Sequence, residues 1–230
     1  MNFSANGREC FKHKIIAYVG KAKDGNDYMD KLLKDFLNKN YPDINHDIHV
    51  RFELGDPFPN GSDERIRQVI YRATSIFENI FSEEDYIYLV IKDWENEDPM
   101  FGNTTPQYLY TVFNTAGADT DVVEVEDEDV DGEKIYQTHK EYSIKIKVEN
   151  IDYKNILTGI GNYEQGREPS IGQSIYFISV EKNVIFYMYD DRGCLVSSNS
   201  PANIKFLYNK FNDWLVEYYR KYFDSIFEKK

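Results

Sequence analysis

Two short apolar runs separated by three residues constrain the fold of this chain more than any other feature of its sequence. Ile175–Val180 and Val184–Tyr189 are rich in strand-forming residues, and only Glu181-Lys182-Asn183 lies between them. So short a connection joins antiparallel strands, because parallel neighbours need a crossover of a dozen or more residues. The sequence therefore predicts a β-hairpin here and an antiparallel sheet around it.

Further strands and helices follow from the periodicity of the apolar residues. Ile48–Leu54 and Tyr86–Trp94 are strand-like, and the second is so continuously apolar that a central position in the sheet is expected. Tyr142–Val148 alternates apolar and polar residues, as a strand with one wet face does. Helices are predicted at residues 27–40, after a Ser62 cap as far as Phe81, at 104–114, in part of 153–172, and from 201 almost to the C-terminus.

These elements predict an α+β fold, a mostly antiparallel sheet with helices packed on one side. The length of 230 residues suffices for one good core. We expect an N-terminal extension at 1–25 and a single α+β domain at 26–230. That domain is expected to have two lobes, joined by an acidic loop at 115–135.

Negative charge is concentrated in one part of the chain. The protein has 40 acidic and 27 basic residues, a formal net charge of −13, and Asp119–Glu133 holds nine of the carboxylates and no basic residue. Such a potential repels nucleic-acid phosphates and anionic membrane surfaces. Neither nucleic acid nor a membrane is therefore expected as a partner, whereas a basic protein is.

The sequence also predicts a cytoplasmic protein. No apolar run reaches the roughly 18–20 residues that cross a bilayer, and the N-terminal residues lack the apolar segment of a secretory signal. The two cysteines, Cys10 and Cys194, are far apart in the sequence. Reduced thiols are the expected state of such cysteines in a cytoplasmic chain.

A partial calcium-binding motif lies within the acidic segment. Asp127–Gly132 matches the first six positions of a calcium loop, but Lys134 and Thr138 stand where an apolar residue and a bidentate glutamate are required. The four histidines show no metal-binding spacing. No metal and no cofactor are predicted, and the segment is interpreted as a solvated loop between two strands.

The charged string Asp190-Asp191-Arg192-Gly193 follows a strand and has two interpretations. As a turn, an aspartate would bond its own backbone two residues on, Gly193 would supply a positive φ, and Arg192 would pair with a carboxylate such as Glu53. As an active site, one aspartate would act as general base or metal ligand while Arg192 held an anion. Both stay open here, although no nucleophile accompanies the cluster.

Two segments carry a family resemblance. They are RFELG (Arg51–Gly55) ahead of the helix at Arg72–Phe81, and VIFYMYDDRGC (Val184–Cys194) followed by LYNKFNDWL (Leu207–Leu215). Together they resemble the bacterial domain-of-unknown-function family numbered 3885. The resemblance covers most of 27–225 and implies a fold and a bacterial, intracellular setting, but it implies no catalytic residues.

Function is predicted from charge rather than from a catalytic motif. We expect an immunity protein or antitoxin that neutralises a basic, nuclease-like toxin by masking its active or substrate-binding surface. The alternative is a hydrolase or transferase that uses Asp190, Asp191 and Arg192, with Arg51 and Glu53. The residues predicted to contact the partner are Asp119, Asp121, Glu124, Glu126, Asp127, Glu128, Asp129, Asp131, Glu133, Asp190, Asp191 and Tyr108.

Overall fold

The computed structural model describes residues 31–40, 48–94, 107–128 and 134–228. The strands are β1 (Ile48–Glu53), β2 (Tyr86–Trp94), β3 (Asp119–Glu128), β4 (Lys134–Lys147), β5 (Ser174–Ser179), β6 (Val184–Asp190) and β7 (Gly193–Ser198). The helices are α1 (Lys31–Asn40), α2 (Asp63–Ile80), α3 (Leu109–Val112), α4 (Tyr153–Tyr163), α5 (Pro201–Lys210) and α6 (Arg220–Phe227). The strands form one sheet in the order β1-β7-β6-β5-β2-β4-β3.

The α+β fold and the antiparallel sheet are confirmed. Every ladder in the described sheet is antiparallel, including the predicted β5–β6 hairpin. The apolar strand β2 lies inside the sheet between β4 and β5, as its composition predicted. The Ser62 side chain accepts a hydrogen bond from the Arg65 backbone and caps α2.

Five of the six described helices, α2 to α6, pack on one face of the sheet, called here the helix side. Phe77 of α2 stands at the centre of this core, with its ring 5.0 Å from that of Phe177 on β5 and 5.6 Å from that of Phe186 on β6. Burial of such large apolar side chains is the main favourable contribution to folding. The predicted packing of helices on one side is therefore correct for this set.

The exception is α1, which packs on the opposite face. Its buried residues Leu33, Phe36 and Leu37 join a second apolar cluster that includes Tyr88 of β2 and Tyr176 of β5. Both faces of the central strands are consequently covered, which explains why β2 is apolar almost throughout. Residues 27–30 of the predicted helix lie outside the described residues.

The predicted acidic loop is wrong for most of its length. Residues 119–128 form β3, which pairs with β4 in continuous register from Asp119↔Ser143 to Glu128↔Lys134. Three valines within the segment explain this, since β-branched residues favour strands, and Val123 is only 1% exposed. Residues 129–133 and the predicted N-terminal extension lie outside the described residues.

The C-terminal helix is interrupted, contrary to the prediction. After α5 ends, the chain forms two short 3-10 turns before α6 begins. Between them the Val216 backbone N–H donates to the Arg51 carbonyl of β1 at 3.1 Å, and Leu215 forms a bridge with Phe52. Pairing with the edge of β1 satisfies backbone groups that a continuous helix would have bonded internally.

No described helix combines the length and the apolar character that a membrane crossing requires.

Candidate functional site

The charged string after β6 forms a tight turn into β7. Asp190 accepts a hydrogen bond from the backbone N–H of Arg192, two residues on, at 2.7 Å, as the turn interpretation predicted. The Arg192 guanidinium returns to the same carboxylate through Nε at 2.9 Å and through a second, shorter contact from Nη2. This hydrogen bonding raises the pKa of Arg192.

The second aspartate of the turn is tied to a different element. Asp191 is 1% exposed, and its Oδ2 accepts from Nε of Arg65 on α2 at 2.5 Å. Arg65 also donates to the Phe58 carbonyl at 2.8 Å, in the loop that follows β1. A buried ion pair of this kind locks the turn, α2 and the loop together, since separation of the charges would leave Asp191 buried and unpaired.

Two details of the turn interpretation need correction. Gly193 does not have a positive φ, which among described glycines is found at Gly61, Gly117 and Gly166. Gly193 is instead required by close approach, because a Cβ there would lie 2.1 Å from the Tyr189 hydroxyl and 2.5 Å from the Phe52 carbonyl oxygen.

Arg192 does not pair with Glu53. Its guanidinium contacts Asp190 and, at 3.4 Å, Glu164 of the segment after α4. Arg51 donates instead to the Tyr189 hydroxyl at 2.8 Å and stacks 5.0 Å from that ring. Burial raises the pKa of Glu53 in spite of the nearby Arg51 charge.

The carboxylates of the turn form a compact group with their cations. One oxygen from each of Glu164, Asp190 and Asp191 falls within 4.8 Å of the others, a spacing that could hold a cation. The two aspartates, however, already have cationic partners, Arg65 for Asp191 and Arg192 for Asp190. The arrangement is therefore best described as an ion-pair network that stabilises the turn.

Cys194, next in the chain, is inert. It is fully buried, and that burial raises the pKa of its thiol, so that the thiol stays protonated. Cys10 lies outside the described residues.

The acidic strand β3 is the second place where predicted contact residues gather. Asp119 and Glu124 are exposed, Asp121 is half-buried, and Val122 is 40% exposed. Because side chains alternate along a strand, Val122 and Glu124 share one face while Asp119 and Asp121 share the other. Of the other predicted contacts, Glu126, Asp127 and Glu128 occupy β3 positions whose side chains are not described, and Asp129, Asp131 and Glu133 lie outside the described residues.

The structure does not bring the two aspartates of the turn to this strand. Four strand-to-strand steps separate β6 from β3, roughly 19 Å at about 4.8 Å per step. Asp190 and Asp191 are only 3% and 1% exposed, so they present little surface to a partner. Tyr108, half-buried beside α3, packs against the helix-side core.

A polar cluster that the sequence analysis missed lies at the end of β2 on the helix side. Asp93 accepts a short hydrogen bond from the Tyr110 hydroxyl of α3 and another from the Gln173 amide at 3.2 Å. Burial and the bond to Asp93 raise the pKa of Tyr110, and contact with Tyr142 raises it further. The signal in the sequence was Asp93, which together with Lys92 interrupts an otherwise apolar strand.

A second missed cluster is buried on the opposite face. Lys92, Glu141 and His139 are each no more than 2% exposed, and Glu141 lies 3.9 Å from the Lys92 ammonium and 3.3 Å from His139 Nε2. The Trp94 ring stands 4.4 Å from that of His139. The alternation of side chains along each strand could predict that these residues face the same way. Which of them meet, however, depends on the register between β2 and β4, which pairs Lys92 with Glu141. Within the described residues, His139 Nδ1 has no hydrogen-bond partner.

The fold and these clusters define an α+β protein whose described strands form one antiparallel sheet. Ion pairs stabilise its β6–β7 turn, and an acidic strand, β3, lies at the end of the sheet. The chain belongs to the family described as "Domain of unknown function (DUF3885)", whose model matches residues 33–219. The resemblance carried by the Val184–Cys194 and Leu207–Leu215 segments is thereby confirmed.

A bacterial relative supports the bacterial setting. The "Uncharacterized protein YnaE" of Bacillus subtilis (strain 168) is 29% identical over 85 residues, which are 34% of this chain and 40% of the relative. The chain thus spans less than half the length of that relative. No solved structure matches.

Proposed function

We propose that this chain is a cytoplasmic bacterial binding protein, an immunity protein or antitoxin that neutralises a basic, nuclease-like toxin by masking its active or substrate-binding surface. The observation that carries the proposal is the acidic strand β3, whose described carboxylates at Asp119 and Glu124 are exposed. Enzymes that act on nucleic acids bind phosphates through clusters of lysine and arginine. Exposed carboxylates on an ordered strand are complementary in charge to such a cluster.

The strand structure of the acidic segment favours this function more than a loop would. Ordering a flexible loop on contact costs conformational entropy, whereas β3 is already held by its ladder with β4. The carboxylates also lie at the end of the described sheet, where their field extends into solvent. Such a field steers an oppositely charged partner and raises the association rate above the neutral ~10⁵–10⁶ M⁻¹s⁻¹.

The experiment compares two triple variants of the tagged protein. One carries Asp119→Asn, Glu124→Gln and Glu126→Gln in β3. The matched control carries Asp213→Asn, Glu83→Gln and Glu181→Gln, three exposed carboxylates elsewhere. A protein captured by the wild-type chain from its native bacterium is purified, and its association rate with each variant is measured at low and high salt.

We expect the β3 triple to associate at least tenfold more slowly at low salt, with the difference shrinking at high salt because exposed charges are then screened. The captured protein should be cationic and toxic when expressed alone, and co-expression of the wild-type chain should protect the cells. Equal association rates for the two triples at low salt, or a captured protein that is neither basic nor toxic, would contradict the proposal.

The alternative of a hydrolase or transferase centred on Asp190, Asp191 and Arg192 has less support. Both carboxylates are buried, and each is bonded to an arginine of the protein itself. Substrate would have to displace those partners. The variants Asp190→Asn and Asp191→Asn separate the two possibilities, since an enzyme would lose turnover and stay folded, whereas a structural turn loses stability.

A further inference from the structure

Asp93 differs from the buried carboxylates of the described chain in the kind of partner it has. Asp191 is bonded to Arg65 and Asp190 to Arg192. Asp93 is half-buried, and its two hydrogen-bond partners, the Tyr110 hydroxyl and the Gln173 amide, are both neutral. Neutral donors fix the position of a carboxylate without bringing a positive charge into contact with it. The carboxylate also retains acceptor capacity, since its two oxygens offer about four lone-pair sites.

The groups around Asp93 are suited to a planar cation. The Tyr110 hydroxyl bonds to Asp93, and the rings of Tyr110 and Tyr142 stand 6.0 Å apart at an interplanar angle of 66°, so two aromatic side chains accompany the carboxylate. A guanidinium can donate two parallel hydrogen bonds to a carboxylate while it stacks on an aromatic ring. The raised pKa of Tyr110 keeps its hydroxyl protonated, and the hydroxyl therefore keeps Asp93 in place.

The location of Asp93 connects it to the acidic strand. Asp93 lies opposite Lys140 on β4, and Lys140 lies opposite Val122 on β3. Two strand steps, roughly 10 Å at about 4.8 Å each, therefore separate Asp93 from the face of β3 that carries Glu124. Lys140 is exposed between them and weakens the net potential there. Selectivity at Asp93 consequently depends on short-range geometry rather than on total charge.

We propose that Asp93, Tyr110, Tyr142 and Gln173 form a binding site for one arginine side chain of the basic partner. The identity of the donor rests on the proposed function, whereas the preference for a guanidinium rests on the geometry of the site alone. The arginine donates to the free lone pairs of Asp93 and stacks on the tyrosine rings. The acidic strand attracts the partner, and this site fixes its register.

The test uses a small probe, so that it does not depend on the partner. N-acetyl-arginine methylamide is titrated into the full chain, and the amide resonances of Tyr110, Tyr142 and Gln173 are followed by NMR. We expect saturable shifts at millimolar probe concentrations. Asp93→Asn should weaken binding at least tenfold and Tyr110→Phe by about threefold to tenfold, since a charge-assisted contact exceeds a positioning one.

Controls separate this site from general cation binding. Glu83→Gln, at an exposed carboxylate ahead of the start of β2, the opposite end of the strand from Asp93, should bind the probe as the wild type does. N-acetyl-lysine methylamide should bind several-fold more weakly than the arginine probe. If Asp93→Asn fails to fold, Gln173→Ala replaces it and should weaken binding about threefold or more.

Three results would overturn the inference: no saturable shift, equal affinity for arginine and lysine probes, or wild-type affinity in the folded Asp93 or Gln173 variant. The titration succeeds or fails without a toxin. Capture of a basic partner that docks normally on Asp93→Asn would leave the proposed function standing and refute this site. A saturable, Asp93-dependent titration, in a protein for which no basic partner is captured, would support this site and refute the proposed function.

Discussion

The β6–β7 turn and strand β3 use the same residue types in opposite ways. At the turn, Asp190 and Asp191 are buried, and arginines from the turn itself and from α2 neutralise them. On β3, Asp119 and Glu124 are exposed at the end of the described sheet. A run of carboxylates in a sequence thus indicates neither a site nor a scaffold until their burial and partners are known.

The difference between the two regions is mainly one of solvation. A buried ion pair offsets by Coulomb attraction part of the hydration that its charges lost, and removal of one partner leaves the other charge buried and unpaired. An exposed carboxylate keeps its water and contributes little to stability, but its field acts on molecules outside. Charges at the turn should therefore determine folding, and charges on β3 should determine association.

Arg65→Ala is the strongest way to break this comparison. It would leave the buried charge of Asp191 without a partner, and we expect the free energy of unfolding to fall by about 3–5 kcal/mol. Urea denaturation monitored by circular dichroism measures the change.

Arg67→Ala is the matched control on the same helix. Arg67 pairs with Glu64 at 3.0 Å, and both side chains are more than half exposed. Its loss should change stability by about 0.5 kcal/mol or less. Comparable losses for the two variants would mean that the Arg65–Asp191 pair is not a structural tie.

Gly193→Ala is expected to have an intermediate effect. The new methyl group would meet the Tyr189 hydroxyl and the Phe52 carbonyl at distances that no side-chain carbon tolerates. Overpacking of this kind costs about 1–3 kcal/mol. Thermal unfolding of the variant and of the double variant Gly193→Ala/Tyr189→Phe measures it.

The double variant sharpens the result. Removal of the Tyr189 hydroxyl relieves the closer of the two contacts, so the double variant should be more stable than the sum of the single changes predicts. Strict additivity would show that the hydroxyl yields freely, which would leave the approach to the Phe52 carbonyl as the reason for glycine at this position.

Much of the fold could be predicted because its signals are local. The β5–β6 hairpin, the interior position of β2 and the Ser62 cap each follow from a few neighbouring residues. Strand β7 was missed because it is short, begins directly after the turn and contains several small residues. It is a strand because β1 and β6 pair with it on either side, which no local pattern reveals.

The two charged regions show the same limit. The backbone bond of Asp190 was predictable from turn chemistry, but Arg65 lies 126 residues from Asp191 in the chain, and no local rule pairs them. In β3 the carboxylates suggested a loop, although Val122, Val123 and Val125 were the better guide to a strand. Pairing with β4 made the segment a strand in spite of its carboxylates.

Glu124→Gln should have the smallest effect on stability and thereby complete the comparison. Glu124 is exposed, and loss of one surface charge changes the free energy of unfolding by about 0.5 kcal/mol or less. The same substitution should slow association with a basic partner about twofold to threefold at low salt, because it removes part of the steering field. Urea midpoints and stopped-flow rates from one preparation measure both quantities. A stability loss near that of Arg65→Ala would show that Glu124 stabilises the β3–β4 ladder rather than serving recognition, and the division of roles between turn and strand would not hold.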